Sequence, residues 1–145
     1  MTDAIPSVLS RYIAGLKRHD VRQVAGTVAD DLVVVLPGRT LAKPDFLEFL
    51  TALYKAFPDW RYDHDEPEQG DDGSFMVRWR QGGTHTEALI LPGAPSLAAT
   101  GKAVRIPEQL FFYRIFGGQL IEIRPEPIAG GAPWGILEQL GMSSA

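Results

Sequence analysis

The feature that most constrains this chain is a pair of adjacent glycines, Gly117-Gly118, between two apolar runs rich in β-forming residues. The runs are Leu110–Phe116 and Gln119–Arg124, within a longer extended stretch at 104–127. Adjacent glycines can both take positive φ without steric cost, which suits a tight hairpin turn. Each arm has about 8 to 12 extended residues, against a usual strand length of ~5–6. We therefore predict a long hairpin that forms the spine of a curved sheet.

The composition indicates a globular chain, with 145 residues, 45% apolar, 22% charged and a net charge of −4. We expect a single domain over 1–145 that does not bind nucleic acid, because no basic stripe offsets the negative charge. The absence of cysteine excludes a disulfide framework, a thiolate nucleophile and a Cys-based zinc site. The sequence shows no secretory signal and no apolar run near the ~20 residues that span a bilayer. We expect a cytoplasmic protein without membrane segments.

The first third of the chain predicts helices. Thr2 or Asp3 can cap the first helix, with Pro6 tolerated in its first turn. Its apolar residues recur at spacings of three and four and form one stripe that includes Tyr12. Asp20 is the predicted cap of a short second helix that follows it directly.

A strand and a third helix come next. The β-branched run Leu32–Leu36 predicts a short buried strand that ends at Pro37. Pro44 and Asp45 open the third helix, whose wide apolar face predicts packing against a sheet. Pro58 ends this helix.

The chain before the hairpin has the pattern of antiparallel strands. We predict strands over 60–68, 75–81 and 84–91, with Gly82-Gly83 as a turn or bulge and a small-residue loop over 92–102. Helices followed by consecutive antiparallel strands predict an α+β fold, with a cone-shaped, curved antiparallel (mixed) sheet wrapped around the N-terminal helices. One helix cannot fill the concave side of such a sheet, so we expect a cavity there.

Five segments of the sequence act together as a set of family motifs. They are AFPDW (56–60), VRWRQGGTHTEAL (77–89), TGKAVRIPEQLFFYRI (100–115), GGQLIEI (117–123) and GILEQLG (135–141). Together they resemble the SnoaL-like polyketide cyclases, within the superfamily that shares the nuclear transport factor 2 fold. The resemblance implies a cystatin-like α+β barrel, a mostly apolar pocket for a small apolar or aromatic ligand, a homodimer through the sheet and no cofactor. The superfamily includes cyclases, isomerases, hydrolases and non-catalytic binders, so the resemblance specifies fold better than function.

The resemblance also implies an acid–base pair, a histidine before the hairpin turn and an aspartate after it. Counting from the turn places Phe111 and Pro125 at these positions, and neither side chain transfers a proton. A shift in register would bring Glu108 or Glu126 to the sites instead. His85 is then the best remaining imidazole for general-base chemistry near neutral pH, although strand-end histidines also cap turns.

Other residues are candidates for ligand binding. Tyr12 and Trp79 are expected in the pocket wall with Phe111, where a ligand oxygen can pair with the O–H or N–H group. The alternative for each is ordinary core packing. Asp59 either faces the cavity mouth or bonds local backbone in the turn after the third helix.

Charged pairs and histidines complete the candidates. Glu108 and Arg124 lie on opposite arms of the hairpin, either as a buried pair that orients a ligand or as an exposed cross-strand pair. His19 and His64 have no partner at metal-ligand spacing, so no metal site is predicted.

Three hypotheses follow for function. The first is a cofactor-independent acid–base enzyme acting on a small apolar carbonyl compound, and the second is a non-catalytic binder of a similar ligand. The third is an interaction module whose sheet exposes Leu110, Phe112 and Ile123 to a partner. Converging polar groups in the cavity favour the enzyme, and exposure of Leu110 and Phe112 favours a dimer through the sheet.

Overall fold

The structure is a computed structural model that describes residues 5–91 and 95–141. The predicted caps Thr2 and Asp3, and positions 92–94 of the predicted loop, lie outside these residues. The elements are, in chain order, α1 Ser7–Lys17, α2 Val21–Thr27, β1 Val28–Leu36, β2 Arg39–Ala42, α3 Lys43–Ala56, β3 Arg61–His64, β4 Glu68–Gln69, β5 Phe75–Thr84, β6 Ala103–Phe116, β7 Gln119–Pro125 and α4 Trp134–Gln139.

The strands form one curved, open sheet in the order β2-β1-β7-β6-β5-β3, with β4 also paired to β5. β1 and β7 run parallel, and the other pairs are antiparallel. The predicted α+β class, with a mixed curved sheet around helices, is confirmed. In the described residues, no helix has the length and apolar character needed to cross a membrane.

The β6–β7 hairpin is confirmed at its predicted turn. Gly117 and Gly118 take φ values of +61° and +76°, the left-handed geometry that two adjacent glycines allow. Phe111 lies opposite Pro125 in the register of the two strands. The register of β6 shifts against β7 after Arg114, and shifts again against β5 between Trp79 and Gln81. Such bulges bend a strand, so they favour the curvature of the sheet.

Two helices cover the concave face of the sheet. α1 buries an apolar stripe at spacings of three and four, formed by Val8, Leu9, Tyr12, Ile13 and Leu16. α3 buries Phe46, Leu50, Leu53 and Tyr54. Burial of a large apolar side chain stabilises a fold by ~1.5–3 kcal/mol, so these faces hold the helices on the sheet. The predicted cap of α2 is confirmed, since the Asp20 carboxylate accepts a hydrogen bond from Gln23 N–H at 3.0 Å.

The prediction for 82–91 is wrong. Gly82 and Gly83 lie inside β5 rather than in a turn or bulge, and β5 ends at Thr84, so no strand runs over 85–91. A Cβ on Gly82 would lie 2.8 Å from the Val104 carbonyl oxygen. Only glycine therefore lets the backbones of β5 and β6 approach each other this closely at position 82. The chain then leaves the sheet, because Thr86 and Glu87 both donate backbone N–H groups to the Ala56 carbonyl.

Two other strand boundaries also differ from the prediction. β1 begins at Val28, earlier than the predicted Leu32, and its register against β7 shifts between Val28 and Val33. The exposed Asp30 and Asp31 lie between these two positions. They interrupt the apolar run, so the sequence did not indicate the first part of β1. The stretch predicted as one strand over 60–68 divides into β3 and the two-residue β4.

Gly82→Ala should destabilise the fold by ~1–3 kcal/mol, because the new methyl group clashes with the Val104 carbonyl oxygen, which is fixed in the sheet. Gly26→Ala is the matched control, since its Cβ would meet nothing within 4 Å and alanine favours the helix. Urea unfolding of both variants measures the difference. Equal stability of Gly82→Ala and the unmodified protein would contradict the close approach.

Candidate functional site

A cavity of about 70 Å³ lies between the concave face of the sheet and the helices. Its described lining is mostly apolar, with side chains from α1, α3, the strands and the segment before α4. Five lining residues carry a polar group, and they are Tyr12, Tyr62, Trp79, Gln81 and Tyr113. The lining that the structure describes contains no histidine, carboxylate, lysine or arginine.

The structure brings Tyr12, Trp79 and Phe111 together in the cavity wall, where the sequence predicted them. Pro125 lines the same cavity, opposite Phe111 across the hairpin. The two positions at which the resemblance implied an acid–base pair therefore both border the cavity. Both carry apolar side chains that cannot exchange a proton.

Aromatic polar groups form a hydrogen-bonded cluster at one side of the cavity. Trp79 Nε1 donates to Tyr113 Oη at 2.9 Å, and the Tyr12 hydroxyl neighbours that of Tyr113. The Tyr54 and Tyr62 hydroxyls are 2.7 Å apart. All four tyrosines of the chain belong to this region.

Burial keeps these tyrosines neutral. Desolvation is the largest effect and raises the pKa of Tyr12, Tyr54, Tyr62 and Tyr113 above the ordinary value for a phenol. A neutral phenol can donate or accept a hydrogen bond. It does not act as a base near neutral pH, so the cluster can polarise a ligand oxygen but not remove a proton.

Tyr62, Gln81 and Tyr113 also line the cavity and were not predicted from the sequence. A period-two signal was present for two of them, because Gln81 follows Trp79 by two residues and Tyr113 follows Phe111 by two. Tyr62 comes from β3, and its place in the cavity depends on the pairing of β3 with β5. No local pattern encodes that pairing.

Glu108 and Arg124 do not pair, so the predicted contact is wrong. Glu108 has a half-exposed side chain and lies 3.3 Å from Arg78 and 3.9 Å from Arg80. Arg124 instead contacts Glu122 at 3.1 Å. Neither belongs to the described cavity lining, and both side chains are about half-exposed on the outer face of the sheet. Each forms an exposed ion pair with another residue, and such surface pairs contribute little to stability.

Glu126 also lies outside the cavity lining. Its Oε1 accepts the Leu110 N–H at 3.2 Å, and its backbone carbonyl accepts from Gln109 Nε2 at 2.8 Å. It borders a separate surface pocket that includes Pro37 and Trp134. These bonds extend the pairing of the hairpin arms beyond β7.

His85 is buried away from the cavity. Its ring stacks on Phe57 at 5.3 Å, and its Nδ1 accepts the Thr100 N–H at 3.1 Å. An accepting Nδ1 places the proton of the neutral ring on Nε2. Desolvation is the main effect on this group and lowers the pKa of His85, opposed by the backbone of Glu87. His85 therefore holds the loop around Thr100 in place. This is the structural role that was the alternative to general-base chemistry.

Asp59 bonds local backbone, as its alternative predicted. Its Oδ1 accepts the Thr84 N–H at 2.7 Å, and this bond is the main cause of its lowered pKa. Its side chain is exposed and is not part of the described cavity lining. In the described ranges, no group of three or more histidines and carboxylates is placed to hold a metal ion.

A family model for the SnoaL-like domain matches residues 9–123. No curated protein matches the sequence. Among solved structures, the chain is similar to AclR from Streptomyces galilaeus, whose assignment as a hydroxylase is provisional. The two chains are 19% identical, with a TM-score of 0.70 and 93% of each chain covered.

Two further structures show the same similarity. A protein from Jannaschia sp. CCS1, provisionally assigned as a SnoaL-like polyketide cyclase, has 14% identity and a TM-score of 0.65, covering 87% of this chain and 90% of that one. A hypothetical protein from Catenulispora acidiphila with a ketosteroid isomerase-like fold, solved with trimethylamine, has 12% identity and a TM-score of 0.64, covering 97% and 96%. At these identities the likeness shows a shared fold.

Acidification should weaken the fold through His85. Because the folded protein holds its pKa below the ordinary ~6.5, the unfolded chain takes up the proton first as pH falls. This contribution to stability is therefore complete above pH ~6.5 and is lost as pH falls through the interval below it. Urea unfolding from pH 7.5 to pH 5 should show a larger loss for the unmodified protein than for His85→Asn, whose Oδ1 takes the place of Nδ1 as the acceptor for Thr100. Identical pH profiles would contradict this assignment.

Proposed function

Because the chain belongs to the SnoaL-like domain family, as its motifs predicted, we propose that it binds a small, neutral, largely apolar compound in the cavity. The observation that carries this proposal is an apolar cavity with neutral hydrogen-bond donors and no ionised side chain in its described lining. An unpaired charge is costly to bury, so this lining favours a neutral ligand.

The volume of the cavity limits the ligand to about one ring at most. At about 70 Å³ it is well below the ~300–1,000 Å³ of sites for drug-sized ligands. Leu41, Phe49 and Phe111 are the half-buried members of the apolar wall that reach the surface from β2, α3 and β6. Outward rotation of these side chains would admit a flat ring, whereas a polycyclic compound would require the sheet to separate from α3.

The tyrosine cluster supports a ligand that bears oxygen. Tyr113 accepts the Trp79 N–H, so its own O–H remains to donate onward. Tyr12 lies beside it as a second neutral phenol. A ligand carbonyl or ether oxygen next to this pair would extend the hydrogen-bond chain, and such chains are stronger in a low-dielectric interior.

An acid–base enzyme acting on a similar carbonyl compound is the alternative function. The tyrosine cluster favours it, because neutral donors can stabilise a developing oxyanion. Against it stand the positions of His85, Glu108 and Glu126, none of which belongs to the described cavity lining. The geometry therefore supports binding without proton transfer better than catalysis.

Thermal shift and calorimetry with cyclohexanone, benzaldehyde, phenol and cyclohexanecarboxylate test the proposal. The neutral compounds should raise the melting temperature, with ~2.7 kcal/mol of stabilisation when the ligand is at 100 times Kd. The carboxylate should have no effect. Val34→Phe should abolish the shift, because Val34 lines the cavity and phenylalanine fills it. No shift with any neutral compound, and no small molecule retained in native mass spectra, would contradict the proposal.

We also propose a homodimer through the outer face of the sheet. Leu110 and Phe112 are half-buried there, and Val33 on β1 is 40% exposed. Positively charged arginines and negatively charged glutamates surround this apolar centre. An apolar centre with a charged rim is the usual anatomy of an interface. Ile123, predicted on the same patch, is instead buried and lines the cavity.

Phe112→Glu should convert the dimer to a monomer, raising the dimer Kd by about 100-fold or more, because it places a charge at the interface centre. Ile90→Glu is the control, since Ile90 is exposed outside the sheet. Sedimentation velocity over a range of concentrations measures both variants. A monomeric unmodified protein at high concentration would contradict the dimer.

A further inference from the structure

Gln81 is a polar side chain that is buried in the cavity wall. It is 9% exposed, lies on β5 and faces Tyr62 on the neighbouring β3 in the strand register. An amide removed from water is unfavourable unless its donors and acceptor are paired. Its hydrogen-bond partners therefore indicate what the site is built to receive.

The acceptor of this amide is used within the protein. Trp60 Nε1 donates to Gln81 Oε1 at 3.4 Å, and since an indole N–H can only donate, this contact fixes which end of the amide is oxygen. The amide nitrogen is thereby directed elsewhere. Across the described residues, Gln81 Nε2 makes no hydrogen bond to the protein and, unlike His85 Nε2, is not fully enclosed. Because Gln81 belongs to the described cavity lining, its two N–H donors are available to a compound bound there.

The second buried glutamine provides the contrast. Gln109 Nε2 donates to the Glu126 carbonyl at 2.8 Å, and Gln109 Oε1 accepts the Ala132 N–H at 3.0 Å. Both ends of that amide hold the segment that closes the cavity, so its role is structural. Gln81 is held at one end only.

We propose that Gln81 Nε2 donates to a carbonyl oxygen of the bound compound and selects carbonyl-bearing rings over hydrocarbon rings of the same shape. This inference rests on the binding function proposed above. A carbonyl fits because it accepts without donating, and the Gln81 acceptor is already occupied by Trp60. A site built to hydrogen-bond one group rejects the analogue that lacks it, because its buried donors are then left unpaired. The ligand class is a one-ring ketone, aldehyde or lactone.

Cyclohexanone and methylenecyclohexane are the matched probes, since they differ only by C=O against C=CH₂. Calorimetry with the full chain should show cyclohexanone binding at least about tenfold more tightly. In Gln81→Met this ratio should fall at least about threefold, with methylenecyclohexane affinity retained and any remaining preference due to the tyrosine donors. Gln81→Glu keeps an oxygen for Trp60 but removes both N–H donors, so it should weaken the preference similarly even if Gln81→Met folds poorly. Gln69→Met, an exposed substitution on β4, should preserve the ratio.

The outcomes separate this inference from the function beneath it. If neither probe binds the unmodified protein, the binding function itself is overturned, and the role of Gln81 with it. If both probes bind but the ratio persists in Gln81→Met and Gln81→Glu, the role of Gln81 is overturned while binding stands. A ratio of about one in the unmodified protein also overturns the role of Gln81.

Discussion

The alternation of side chains along β6 is the constraint on which the site depends. Gln109, Phe111 and Tyr113 point to the concave side, whereas Glu108 and Phe112 take the outer face. One strand therefore supplies apolar and aromatic groups to the cavity and charged or apolar groups to the opposite surface. A shift of one residue in the hairpin register would exchange these two sets. The register therefore decides which side chains of β6 line the cavity.

The cavity is mostly apolar, and the few polar groups in its described lining are uncharged. Its phenols are held neutral by burial, its indole N–H is paired with Tyr113, and its glutamine amide is paired at the oxygen end only. Such a lining offers directed hydrogen bonds at a fixed place in an apolar space. It supports the proposed recognition of a neutral oxygen-bearing ring, while Glu108, Arg124 and Asp59 lie in surface pairs and loop contacts.

Local signals in the sequence were sufficient for most of the fold. The glycine pair predicted the hairpin, the spacing of apolar residues predicted α1 and α3, and Asp20 predicted the cap of α2. Prediction was weaker where distant segments decide the outcome. Gly82-Gly83 was predicted as a turn or bulge, because the close approach that requires glycine at position 82 involves Val104 on another strand and leaves no local signal. The sequence predicted Tyr12, Trp79 and Phe111 in the cavity wall, where the structure has them, but the place of Tyr62 depends on the β3–β5 pairing, which no local pattern encodes.

The parallel pairing of β1 with β7 has a kinetic consequence. Val34 and Ile123, which line the cavity from these two strands, are about 90 residues apart in the chain, so their contact closes a long loop at an entropic cost. The β6–β7 hairpin closes over two residues and can form early. We therefore expect β1 to dock late in folding, with the wall of the cavity completed at that step.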